Sequence, residues 1–134
     1  MAHIRKEISI EASPEAVWEA VRDWGALHER LVPGFVVDTQ LDGEDRIVTF
    51  AGGAVVRERL IDIDEDARRL CWSIVDGPYT HHNGSSQVFP EGNGARFVWI
   101  ADLLPNELAE RTGEMMHQGT NVVKRTLEAK AVKS

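Results

Sequence analysis

The sequence predicts an α+β fold in which a seven-stranded antiparallel sheet wraps around one long C-terminal helix. First, only the segment from Pro105 to Lys130 keeps apolar residues at helical spacing over a long distance. Second, the chain from Phe35 to Leu104 consists of strand-like segments divided by turn residues. Their connections are too short for crossover helices, so neighbouring strands must run antiparallel. A lone helix has to bury its apolar face, and only the sheet is available to cover it.

The first part of the chain predicts one strand followed by two short helices. Ile4 to Ile10 has strand character. Ser13 and Pro14 then mark the start of a helix, because Ser suits the N-cap and Pro suits the first turn. This helix is expected to run to about Asp23, and a second short helix to span Leu27 to Leu31.

Six further strands follow, each bounded by residues that favour turns. The short connections predict a meander, in which strands that are consecutive in the chain are neighbours in the sheet. The predicted strands are Phe35 to Leu41, Arg46 to Ala51, Ala54 to Asp64, Arg69 to Asp76, Thr80 to Phe89 and Ala95 to Leu103.

The C-terminal helix presents a wide apolar face, to which Met115, Met116 and Val123 contribute. Gly119 lies on the same face. Because a glycine inside a helix costs about 1 kcal/mol relative to alanine, its presence there indicates either a close approach of the sheet or space left for a ligand. The two methionines offer adaptable apolar walls, although filling of the core explains them equally well.

Composition excludes several classes of function. The chain has 134 residues, enough for one domain with a real core, and its net charge of -7 disfavours binding to nucleic acid or to anionic membranes. The only cysteine, Cys71, allows no internal disulfide, and no apolar run approaches the length of a membrane span. The N-terminus lacks the pattern of a signal sequence. We therefore expect a cytoplasmic protein that is not inserted in a membrane.

Three segments carry a family resemblance: residues 10–18 (IEASPEAVW), residues 57–64 and 68–74 (RERLIDID and RRLCWSI), and residues 96–99 (RFVW). Their order and spacing resemble the START, Bet v 1 and polyketide cyclase superfamily, and the resemblance covers nearly the whole chain. It implies one helix-grip domain over residues 1–134, with a ligand cavity between the sheet and the long helix. Members of this superfamily include polyketide cyclases and dehydratases, lipid and hormone carriers, and interaction proteins, so the resemblance implies a cavity and not a reaction.

Strand alternation predicts which side chains face this cavity. Phe97 and Trp99 share one face of the last strand, opposite the charged residues. The same reasoning turns Trp72 inward, and the two arginines that flank Glu58 turn this carboxylate inward as well. Val98 and Ile100 are then expected on the outer face, where they could form a dimer or partner surface.

The segment from Tyr79 to Gln87 is unusually polar for a strand beside an apolar cavity. Buried polar groups need partners, so an inward polar patch would suit recognition of an oxygenated ligand, whereas a solvated strand is the simpler interpretation. The sequence does not decide which of two alternating sets of side chains faces the cavity. One set comprises Tyr79, His81, Asn83, Ser85 and Gln87, and the other comprises Thr80, His82, Gly84 and Ser86.

Acid-base chemistry is the only catalysis that the residue types support. Glu58 in a poorly solvated pocket, together with His81 or His82, could transfer protons for cyclisation, dehydration or isomerisation. The simpler alternative is that Glu58 pairs with an arginine across the sheet. We expect no metal site, because adjacent histidines on a strand point to opposite faces, and no cofactor.

The leading hypothesis is therefore a protein that binds a small hydrophobic or aromatic ligand, polyketide-like or lipid-like, in the cavity. The first alternative is a cofactor-free cyclase or dehydratase, and the second is a protein-interaction module that could form a homodimer. The candidate catalytic residues are Glu58, His81 and His82, and the candidate ligand-binding residues are Trp72, Tyr79, Asn83, Gln87, Phe97, Trp99, Met115, Met116 and Gly119.

Overall fold

The computed structural model describes residues 1–133 and contains seven strands and two α-helices within that range. Single turns of 3-10 helix (Trp24–Ala26) and π-helix (Leu27–Leu31) follow α1, and a further 3-10 turn (Asn106–Leu108) precedes α2. The principal elements are β1 Ala2–Ile10, α1 Pro14–Arg22, β2 Val36–Asp42, β3 Asp45–Phe50, β4 Val55–Asp64, β5 Arg69–Ile74, β6 His81–Glu91, β7 Gly94–Leu104 and α2 Ala109–Lys133.

The seven strands form one antiparallel sheet in the order β1-β7-β6-β5-β4-β3-β2. Strands β2 to β7 form a meander, as the short connections predict. Strand β1 is the edge strand next to β7 and pairs with it from Ala2 opposite Leu103 to Ile10 opposite Ala95. The predicted fold class is confirmed. The sheet curves around α2, so its concave face and this helix enclose the core.

Helix α1 begins as the sequence predicts. The hydroxyl of Ser13 accepts a hydrogen bond from the backbone N–H of Ala16 at 3.1 Å, and Pro14 occupies the first turn. The helix buries Val17 and Val21 in the core below the sheet. The two short turns that follow carry the chain from this helix into β2.

Helix α2 starts later than the sequence indicates. Pro105 is extended and precedes a 3-10 turn, so the α-helix runs from Ala109 and not from Pro105. Met116, Val123 and Leu127 are buried on its inner face. Near its C-terminal end, Lys124 donates to the carbonyl of Ser9 at 2.6 Å, which ties the helix to β1. No helix within residues 1–133 combines the length and the apolar character needed to cross a bilayer.

The outer face of the sheet differs from the prediction at Val98. This side chain is only 3% exposed, so it cannot form the exposed patch expected of Val98 and Ile100. In the sheet Val98 lies between Glu7 of β1 and Gln87 of β6, whose longer side chains flank it. Ile100 is half-buried. The interaction hypothesis therefore loses one of the two residues on which it was based.

Candidate functional site

A cavity of about 640 Å³ lies between the concave face of the sheet and α2. Most of its wall is apolar, and both the sheet and the helix contribute to it. Eight of the candidate residues contribute to this wall, namely Glu58, Trp72, Tyr79, His82, Phe97, Trp99, Met115 and Met116.

Two tryptophans form the aromatic part of the wall. The ring centroids of Trp72 and Trp99 are 6.2 Å apart, with the ring planes inclined at 53°. Trp72 lies over Gly84 of β6, where a β-carbon would come within 2.8 Å of the indole. Gly119 of α2 has the same relation to Trp99, also at 2.8 Å. Of the two explanations for Gly119, the close approach of the sheet is the one the structure supports, and Gly119 does not itself line the cavity.

Glu58 points inward, as predicted, but its partner is not a histidine. It lies directly opposite Arg46 on β3, whose Nε donates to Glu58 Oε1 at 2.8 Å. Only 4% of the Arg46 side chain and 9% of the Glu58 side chain are exposed. The alternative that Glu58 pairs with an arginine across the sheet is thus confirmed. The arginine also stacks 3.7 Å above the ring of Trp24.

In this buried pair Arg46 contacts one of the two carboxylate oxygens of Glu58. Nη2 of Arg46 also lies 2.8 Å from Oε1, so the arginine contacts concentrate on this atom. Within residues 1–133, no side chain donates a hydrogen bond to Oε2. Burial lowers the pKa of Arg46, and the carboxylate opposes that shift. Because an arginine stays protonated in proteins, the pair is an internal salt bridge, and both of its residues contribute to the cavity wall.

His82 is the histidine that faces the cavity. Its Nδ1 accepts a hydrogen bond from the backbone N–H of Ile74 at 3.0 Å, and the ring of Tyr79 packs edge-on against it at 5.2 Å. Burial lowers the pKa of His82 to about 4, with a smaller contribution from the neighbouring His81. At neutral pH the ring is therefore uncharged, with Nδ1 as acceptor, so its proton is on Nε2. His82 thus offers a fixed hydrogen-bond donor.

Tyr79 connects the cavity wall to the helix. Its hydroxyl lies 2.7 Å from Oγ1 of Thr112, near the start of α2, and both residues line the cavity. This hydrogen bond joins the loop between β5 and β6 to the first turns of α2. Sequence reasoning selected Tyr79 but missed Thr112.

Four of the candidate residues lie outside the cavity, contrary to expectation: Gly119, described above, and three residues of β6. His81 is exposed, and Asn83 and Gln87 line a second, polar depression of about 280 Å³ on the outer face of the sheet. In β6 the inward set is His82, Gly84, Ser86 and Val88. The expectation that Asn83 and Gln87 line the cavity is therefore wrong, and His81 lies outside the cavity as well. Gln87 instead donates to the carbonyl of Ala67 at 3.1 Å.

The exposed members of the lining mark where the cavity opens to solvent. They belong to the turn between β3 and β4, to the loop that contains Gly77 and Pro78, and to the outer edge of α2, which contributes Arg111 and Gln118. Sequence reasoning missed Arg111 entirely and Arg46 as a cavity residue. For Arg46 a signal exists, because it shares its strand alternation with the inward Val48.

This architecture agrees with a match to known proteins along almost all of the chain. A family model described as polyketide cyclase / dehydrase and lipid transport matches residues 1–131. The chain belongs to this family. A comparison with curated protein sequences found no match to this chain.

Solved structures share the fold of this polyketide cyclase family member at low sequence identity. An uncharacterized protein from Bacillus thuringiensis aligns with a TM-score of 0.83 at 20% identity, over 94% of this chain and 98% of the other. A START superfamily protein from Mycobacterium smegmatis aligns with a TM-score of 0.73 at 12% identity, over 98% and 97%. A point mutant of norcoclaurine synthase from Thalictrum flavum, in complex with a transition-state analogue, aligns with a TM-score of 0.67 at 21% identity, over 96% of each chain.

Proposed function

We propose that the protein binds a small apolar ligand, polyketide-like or lipid-like, in the cavity between the sheet and α2. The observation that carries the proposal is a cavity of about 640 Å³ whose wall combines tryptophan, phenylalanine and methionine side chains with a few fixed polar groups. Sites for small molecules have this character, because apolar area supplies affinity and isolated polar groups set orientation. The acidic chain with one cysteine supports a cytoplasmic carrier.

The polar groups indicate what the ligand carries. His82 on β6 offers a donor and Glu58 on β4 offers an acceptor, and the two strands flank β5. At the usual spacing of neighbouring strands, their backbones are about 10 Å apart. A flat or extended ligand with a carbonyl oxygen near His82 and a hydroxyl group near Glu58 would satisfy both. Such a ligand would also stack on Trp72 and Trp99.

A cofactor-free enzyme is the second candidate function. Its support is that Glu58 lines the cavity and that Arg46 contacts only its Oε1 atom, because a carboxylate in a poorly solvated site can serve as a base. The histidine contributes less to this hypothesis. With a pKa of about 4, His82 is a poor proton carrier near neutral pH. We therefore place ligand binding first and acid-base catalysis second.

Tryptophan fluorescence and thermal unfolding test the proposal with a panel of aromatic polyketides, flavonoids, sterols and fatty acids. A bound compound should quench Trp72 and Trp99 and raise the Tm of the protein. His82→Phe should weaken oxygenated ligands selectively, whereas Asn83→Ala on the outer face should leave binding unchanged. If no compound in the panel quenches fluorescence or raises Tm, the proposal fails. Recovery of a chemically altered compound by mass spectrometry would instead favour the enzyme.

A further inference from the structure

We infer that the ligand carries a carboxylate at one end and that Arg111, at the opening of the cavity, pairs with it. This inference rests on the proposed function, because it concerns the same cavity. It adds a chemical class: the ligand is an apolar acid whose body lies inside and whose charged group stays at the entrance.

The charges that line the cavity do not cancel. Three ionisable side chains other than His82 and Tyr79 contribute to the lining, namely Arg46, Glu58 and Arg111. Arg46 and Glu58 neutralise each other in a buried ion pair, and His82 is uncharged at neutral pH. Arg111 therefore gives the cavity a net positive charge inside a protein whose overall net charge is -7. A cation without a counterion at the entrance of an apolar cavity favours an anionic ligand.

The ion-pairing of the other arginines shows that Arg111 is unusual. Eight of the eleven arginines form an ion pair with a carboxylate within residues 1–133. Arg69, Arg111 and Arg125 do not, and of these only Arg111 lines the cavity. Glu107 and Glu114 lie about one helical turn away on either side, yet neither pairs with Arg111 or contributes to the lining. Its guanidinium group is thus available to an external carboxylate.

The position of Arg111 fits a ligand that enters with its apolar end first. Met115 lies one turn further along α2 and lines the cavity below the opening. Thr112, the next residue, is held by the hydroxyl of Tyr79, so this turn of α2 is fixed against the loop before β6. A carboxylate suits the guanidinium group, because its two oxygens match the paired N–H donors. The apolar body would then contact Met115, Met116 and Trp99.

Two pairs of compounds distinguish the effect of the ligand's charge from that of its shape. They are lauric acid with lauramide, and 1-naphthaleneacetic acid with its primary amide. Tryptophan fluorescence at low ionic strength measures the Kd of each compound. The wild-type protein should prefer each acid over its amide by about fivefold, the scale of an exposed ion pair. Arg111→Gln should remove this preference and leave the Kd of the amides unchanged. Arg125→Gln is the matched control, since it removes the same charge from an exposed position on the same helix outside the cavity.

The outcomes distinguish failure of this inference from failure of the proposed function. Retention of the preference in Arg125→Gln, and its reduction in the wild type by 1 M salt, would support the inference. Equal binding of acids and amides by the wild type would overturn it while leaving an apolar binding site in place. An equal loss of both compounds in Arg111→Gln would also overturn it, because the arginine would then act through packing of its stem. If neither acids nor amides bind, the proposed function and this inference fall together.

Discussion

Arg46 and Glu58 face each other across β3 and β4 and form a salt bridge that water barely reaches. The arginine is held on its other side by the ring of Trp24 and by the carbonyl of this residue, to which Nη1 donates at 3.2 Å. The pair joins the sheet to the turn after α1. Removing one partner would leave a buried charge without compensation.

Glu58→Gln should therefore destabilise the fold by about 3 kcal/mol, the scale for breaking a buried ion pair. Urea denaturation measures the change. The double variant Arg46→Met with Glu58→Leu removes both charges and should regain most of the lost stability, because apolar residues can replace a buried pair. A single Glu58→Gln variant that unfolds at the wild-type urea concentration would contradict this account.

Gly119→Ala should reduce stability although alanine favours helices. The added β-carbon would lie 2.8 Å from Cζ3 of Trp99 and 3.2 Å from Cε2 of Phe35, so the indole would have to move. We expect a net loss of about 1 kcal/mol, since crowding in a core outweighs the propensity gain. Gly113→Ala is the control on the same helix, because its nearest side-chain atom, on Ile4, is 3.7 Å away. That variant should gain stability, and equal effects at the two positions would refute the packing argument.

The pKa of His82 predicts a defined pH dependence of stability. Burial lowers this pKa from 6.5 to about 4, so below pH 6.5 the unfolded chain binds a proton that the folded protein does not. The stabilisation is complete above pH 6.5 and is lost as the pH falls towards 4. At 1.36 kcal/mol per pKa unit, the loss reaches about 2 kcal/mol by pH 5 and about 3 kcal/mol by pH 4.

Unfolding free energies at pH 7 and pH 5 test this dependence. The wild type should lose about 2 kcal/mol more than His82→Gln between these two pH values, since only the wild type has this titrating group. His117→Gln, at an exposed position of α2, should behave like the wild type. The same pH dependence in wild type and His82→Gln would show that His82 is not the responsible group.

Truncation after Leu104 should abolish cooperative folding, because α2 supplies Met116, Val123 and Leu127 to the core. Differential scanning calorimetry should then show no cooperative transition. A chain that ends at Ala131 serves as the control. It loses Val132, whose exposed fraction is 88%, and should melt close to the full-length protein. A cooperative transition in the chain that ends at Leu104 would mean that the sheet folds without the helix.

The fold and the aromatic wall of the cavity could be predicted from the sequence because charged residues fix the strand alternation. Arg96 and Asp102 lie on the outer face of β7, so Phe97 and Trp99 had to face the helix. The same reasoning applies to Glu58 between its flanking arginines. In each case charged residues mark one face of the strand as solvent-exposed, so the opposite face must be the inward one.

The sequence of strand β6 does not indicate which of its faces is inward, because both faces carry polar residues. Packing across the sheet decides its alternation: Trp72 of β5 pairs with Gly84 and fills the space that a side chain there would need. His82 consequently points inward and Asn83 outward. The sequence indicated an arginine across the sheet as one possible partner of Glu58, but it did not identify Arg46. An arginine at the start of a strand resembles an exposed residue until its pairing partner is known.

The inclined arrangement of the Trp72 and Trp99 rings should give the cavity a characteristic circular dichroism signal. Two indoles whose centroids are 6.2 Å apart and whose planes are inclined at 53° couple their electronic transitions, and their fixed handedness makes that coupling visible in near-ultraviolet circular dichroism. Trp18 lies outside this pair, with its Nε1 donating to Glu65. A molecule that rotates either cavity ring therefore changes the coupled signal. A change in this spectrum when a ligand is added therefore reports a change in the geometry of the cavity without any added label.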